Sequence, residues 1–155
     1  MAEPTTLDKA FHFIIRTLVD TGRAPHYAEL ANGLGCSVEQ GRQLLHDLEA
    51  TGYSFFLHPE TDGIVSVAPF NNLPSQYRIS VDGEQRWFAQ CGFEALAVRW
   101  LFPGKTVRMD APCLDCGEPM AIVMRDEQVL SVEPDTIVGY SVTPIGVGGP
   151  GRAYR

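Results

Sequence analysis

The sequence predicts an α+β protein. An N-terminal winged helix-turn-helix-like module over residues 1–75 precedes a small β-rich domain over residues 76–155 with one buried helix. Three observations predict this. Apolar residues recur at helical spacing three times before Gly52. From Tyr53 onward they fall instead into short runs separated by turn signals, as strands do. One longer apolar stretch, 85–101, interrupts those runs and reads as the buried helix.

The first helix is predicted over 6–22, where Leu7, Ala10, Phe11, Ile14, Ile15, Leu18 and Val19 share a face and Gly22 stops the chain. A second, short helix covers 26–34, with Tyr27, Leu30, Ala31 and Leu34 apolar, and turns through Gly35 and Cys36. The third starts at Ser37. Ser37-Val38-Glu39-Gln40 has the form of a capping box, in which the Ser oxygen accepts from the third backbone N–H and the Gln reaches back. Val38, Leu44, Leu45 and Leu48 form its buried face, and Gly52 ends it. Two apolar runs, 53–57 and 64–70, flank a turn with an Asp62-Gly63 signal and predict a hairpin. Three helices and a hairpin give the winged-helix order.

Residues 71–76 are loop-like and mark the boundary between the two parts. A strand is predicted at 77–81, a turn at Asp82-Gly83, and the helix over 85–101, broken by Pro103 and Gly104. Further strands are expected at 105–109, 120–124, 128–133 and 138–143. The Gly- and Pro-rich stretch 145–152 supports no stable element, so a mobile tail is expected there.

Composition narrows the function. The 155 residues are 45% hydrophobic and 20% charged, which suits a packed core rather than disorder. No apolar run reaches the roughly 18 residues of a membrane span, and the acidic, polar start lacks the pattern of a secretory signal. The expected place is the cytoplasm, with thiols reduced and no membrane partner. Net charge is −7, and residues 1–80 carry five Lys plus Arg against nine Asp plus Glu. The third helix, the usual groove reader, holds Glu39, Arg42, Asp47 and Glu49. Such a surface repels phosphate, so the winged helix is expected to be scaffold or pocket wall rather than a reader of nucleic acid.

Four cysteines remain: Cys36, Cys91, Cys113 and Cys116. Cys36, in the turn between helices, reads as core. Cys91 and Glu94 are three apart and would share one face of the predicted helix. A buried carboxyl there would have a raised pKa and could deliver a proton, and a thiolate would suit a soft metal. The plainer alternative is Cys91 as core filler beside a solvated Glu94. Cys113-Leu114-Asp115-Cys116 is a Cys-x-x-Cys. It is half a zinc site, but no second pair exists and His12, His26, His46 and His58 all lie in the first half, so structural zinc is not expected. A redox pair and a pair sharing a soft metal stay open.

The run Asp82-Gly83-Glu84-Gln85-Arg86-Trp87-Phe88-Ala89-Gln90-Cys91-Gly92-Phe93-Glu94-Ala95-Leu96, followed by Leu101-Phe102-Pro103 and Gly104-Lys105-Thr106-Val107, resembles the core of organomercurial (alkylmercury) lyases. Cys113, Gly117-Glu118-Pro119 and Val132-Glu133-Pro134 fit as well, and the likeness spans roughly residues 7–145. The resemblance implies cleavage of a carbon–mercury bond in a small organomercurial, with no cofactor and Hg(II) as bound product. By position, Cys91 matches the first mercury-binding thiolate and Glu94 the proton donor, which is Asp in the family pattern. The family's second catalytic cysteine follows the last strand, and no counterpart stands before Arg155. A second thiolate is then expected from sequence beyond Arg155, as cysteine or selenocysteine, or from Cys113 or Cys116. The alternative is a non-catalytic homologue that sequesters mercury or another soft metal, or a winged-helix regulator.

Overall fold

The computed structural model describes residues 3–139. Three helices come first: α1 (Thr6–Thr21), α2 (Tyr27–Leu34) and α3 (Val38–Ala50). Each begins with a capping box: Thr5 with Asp8, His26 with Glu29, and the predicted Ser37 with Gln40. Each box closes two otherwise unpaired backbone ends at once. Gly22, at φ +77°, ends α1, and any Cβ there would collide with the Arg86 side chain as well as strain the backbone. Gly41 lets α3 cross α2 closely, since a Cβ would sit 2.6 Å from the Tyr27 carbonyl oxygen.

The strands β1 (Phe55–Leu57), β2 (Ile64–Val67), β3 (Phe70–Asn71), β4 (Arg78–Val81), β5 (Glu84–Ala89), β6 (Thr106–Pro112), β7 (Pro119–Arg125) and β8 (Gln128–Glu133) form one antiparallel sheet in the order β1-β2-β3-β5-β4-β6-β7-β8. The protein is therefore mixed α and β, with a single sheet running through both halves of the sequence. Between β5 and β6 lie α4 (Gly92–Ala97) and a 3-10 turn (Val98–Leu101). The core gathers Ile14, Leu18, Leu30, Leu45, Phe70, Ile79, Val98, Val107 and Met124, all essentially without solvent contact. Trp87 anchors α1 to the sheet: its indole donates to the Leu18 carbonyl at 2.7 Å, and its ring meets Phe102 edge-on at 4.9 Å.

The predicted helix over 85–101 is corrected. Its first third is β5, because Asp82 and Gly83 both adopt positive φ (48° and 88°), the turn that returns a strand directly onto its neighbour. Burial along β5 then alternates, with Trp87 and Ala89 inside, which is the strand period rather than the helical one. Helical structure starts only after Cys91. Cys36 is half-buried in the turn after α2 rather than core. Of the strand expected at 138–143, Val138 and Gly139 are not in a strand, and the remainder, with the stretch 145–152, lies outside the described residues. Among the described residues no helix is long and apolar enough to cross a membrane.

Candidate functional site

The chain leaves β5 through Ala89-Gln90-Cys91, and neighbouring loops pin this exit. The Ala89 N–H donates to the Tyr77 carbonyl at 3.0 Å, and the Ala89 carbonyl accepts from the Ser75 hydroxyl at 2.7 Å. Gln90 reaches the carbonyls of Pro69 through its backbone and Ser54 through its side chain. Cys91 is extended (φ −148°, ψ 174°) and is the N-cap residue of α4, its carbonyl accepting from Ala95 at 2.9 Å. Glu94 is then the third residue of the helix. The two groups meet, but through the helix cap rather than along a helical face.

The spacing is that of the boxes that open α1, α2 and α3, but here the cap is open. The Glu94 carboxyl lies beside the Cys91 backbone N–H and thiol, both of which favour its ionised form. The N–H groups of Phe93 and Glu94 point at the sulfur without closing a cap hydrogen bond, as a serine oxygen would. Burial pushes the Glu94 pKa up, and Cys91 offsets only part of that rise. Glu94 Oε2 is buried and lacks a hydrogen-bond partner, a surrounding that disfavours the ionised carboxylate. Burial pushes the Cys91 thiol up too, and the Glu94 charge adds to it, against the pull of the two N–H groups. Both groups therefore hold their protons at pH values where the free side chains would lose them. Cys91 is nonetheless exposed, so a small electrophile can reach the sulfur while the carboxyl beside it stays half-buried.

The neighbourhood is aromatic. Tyr77 lies over Gly92, and the Phe93 ring, 58% exposed, lies beside Gly139 after β8. Sequence reasoning missed Ser75 and Tyr77, because their contribution is a long-range pairing with Ala89.

Cys113 and Cys116 sit in the β6–β7 turn. Arg78 of β4 lies opposite Phe88 of β5 on one side and Asp110 of β6 on the other. Cys91 and Cys113, each three residues further on, therefore leave the same end of the sheet, with backbones about 10 Å apart at the level of Arg78. Cys113 does not join the Cys91 site. Among the described residues no three His, Cys, Asp or Glu side chains come together in metal-binding geometry. Cys113 instead faces its own turn. The N–H groups of Cys116 and Asp115 and the Cys116 thiol face its sulfur and draw its pKa down. Arg42 of α3 is ion-paired with Asp62 of the β1–β2 hairpin, with His46 on the other carboxylate oxygen at 3.3 Å.

Comparison with known proteins agrees on one family. Residues 70–150 match the family described as MerB, alkylmercury lyase. An alkylmercury lyase of Staphylococcus epidermidis is 28% identical over 145 residues, covering 92% of this chain and 62% of that protein. One from Bacillus cereus is 28% identical over 126 residues, covering 79% and 53%. The chain thus spans between half and two thirds of the length of these relatives. The crystal structure of the mercury-bound form of MerB2 superposes with a TM-score of 0.60 at 20% identity, over 85% of this chain and 69% of that one.

Proposed function

The chain belongs to the alkylmercury lyase family, and from that membership we propose that it cleaves the carbon–mercury bond of a small organomercurial by protonolysis. The observation that carries this reading is the juxtaposition, at the start of α4, of the exposed Cys91 thiol and the half-buried Glu94 carboxyl. Mercury is soft and prefers sulfur to oxygen. As the Cys91 sulfur bonds to the mercury of the substrate, its proton passes to Glu94, whose raised pKa suits it to hold one. Glu94 then gives that proton to the carbon as the carbon–mercury bond breaks. The hydrocarbon leaves, and Hg(II) stays on the Cys91 sulfur, its second position filled by the ligand the substrate brings or by a free thiol from solution. Glu is one methylene longer than the Asp of the family pattern, and its carboxyl still lies beside the Cys91 sulfur.

On this reading residues 1–75 are a winged-helix-like scaffold and residues 76–155 carry the thiol chemistry, in a reducing compartment such as the cytoplasm. The pairing of Arg42 with Asp62 occupies the single Arg of α3, which supports a scaffold role over phosphate binding. No cofactor is required, since the substrate supplies the metal and the two side chains supply the proton.

The test is release of methane or benzene from methyl- or phenylmercury by the reduced protein with excess free thiol. Catalytic release that disappears in Cys91→Ser supports the proposal. Stoichiometric mercury uptake with no hydrocarbon released would leave a sequestering protein instead.

A further inference from the structure

The β6–β7 turn holds a second constellation of thiols that the reaction at Cys91 does not use. The Cys113 N–H donates to the Glu118 carbonyl at 2.8 Å and the Gly117 N–H to the Cys113 carbonyl at 2.9 Å, so both cysteines ride on one closed loop. Gly117, at φ +76°, makes the reversal a side chain would resist. Inside the loop the Cys116 thiol and the backbone N–H groups of Asp115 and Cys116 lie beside the Cys113 sulfur. Cys116 is exposed, and Leu114 between the pair is 72% exposed, so the entrance is open.

We propose that Cys113 and Cys116 form a self-contained bis-thiolate site for a two-coordinate soft cation, separate from the Cys91 site. Coordination number selects the ion. A tetrahedral ion such as Zn(II) asks for four ligands. Here no third His, Cys, Asp or Glu joins the pair among the described residues. A linear bis-thiolate needs only two sulfurs, and soft metals prefer them. Binding exchanges two thiol protons for one divalent cation and leaves a neutral complex. Mercuric ion as the occupant rests on the lyase reading; the site itself does not. At the same end of the sheet as Cys91, the turn is placed to hold an ion released there.

The experiment uses the full chain carrying Cys36→Ser and Cys91→Ser, reduced and given equimolar mercuric chloride, then challenged with excess glutathione. The expected result is one mercury retained per chain, with Cys113 and Cys116 both protected from iodoacetamide. Cys116→Ser in that background should weaken retention by roughly a hundredfold, because the second sulfur then binds from solution rather than from the same loop. Unprotected thiols, mercury bridging two chains, or equal retention after Cys116→Ser would each overturn the proposal. Because Cys91 is absent throughout, failure here is distinguishable from failure of hydrocarbon release by the wild-type chain.

Discussion

Two cysteine turns leave the same end of the sheet, one after β5 and one after β6, and their sulfurs hold protons in opposite ways. Cys91 faces a half-buried carboxyl, and burial with the Glu94 charge raises its pKa. Cys113 faces backbone N–H groups and a second thiol, and they lower it. Identical atoms on parallel exits, one strand apart, thus acquire different chemistry from their partners. An acid beside a thiol suits proton delivery, whereas a thiol beside a thiol suits metal retention.

That contrast can be broken at several points. The largest effect is expected from Glu94→Gln, which keeps the size but removes the transferable proton. Turnover of phenylmercury should fall by roughly 10²–10⁴-fold, the usual contribution of a positioned acid, while stoichiometric mercury binding stays. Retained turnover would move the proton donor elsewhere. Next comes Trp87→Ala, which acts on the Cys91 side because Trp87 fixes β5 to α1. Thermal or urea unfolding should show a loss of about 3–5 kcal/mol.

Alkylation rates sharpen the comparison further. Near neutral pH iodoacetamide should modify Cys113 faster than Cys91, since a lowered pKa supplies more thiolate and a raised one less. Mass mapping against pH should place the Cys113 profile below the ordinary thiol range and that of Cys91 above it; coincident profiles would remove the distinction. Glu94→Gln should shift the Cys91 profile to lower pH and leave Cys113 unmoved. Gly117→Ala should cost about 1 kcal/mol, because it forces a side chain into positive φ, with mercury retention at the β6–β7 turn weakened and turnover unchanged.

The smallest effect follows from linkage. The Glu94 pKa is raised on folding, so its protonated form favours the fold, and that contribution is lost as pH rises through the folded pKa. Glu94→Gln removes the loss. Its melting temperature relative to wild type should rise by roughly a few degrees between acid and mildly alkaline pH. A constant difference across pH would show that Glu94 ionises freely in the fold.

Elements whose signals are local were legible in the order of the amino acids. Ser37 and Gln40 marked the start of α3, Gly22 the end of α1, and the alternation of apolar runs gave the strands from β6 to β8. That order also singled out Cys91 and Glu94, because residue type and spacing travel with the chain. What it misplaced was their setting. The stretch 85–101 is apolar enough for either period, and only the pairing of β5 with β4 and β3, under Trp87 and α1, makes its first third a strand. Tertiary structure alone decided that Cys91 caps a helix instead of riding on one, that Ser75 and Tyr77 hold its exit, and that Cys113 turns toward Cys116 rather than toward Cys91. The reason is range. Caps and turns are settled within a few residues, whereas strand order and the partners of a thiol depend on contacts between segments far apart in the chain.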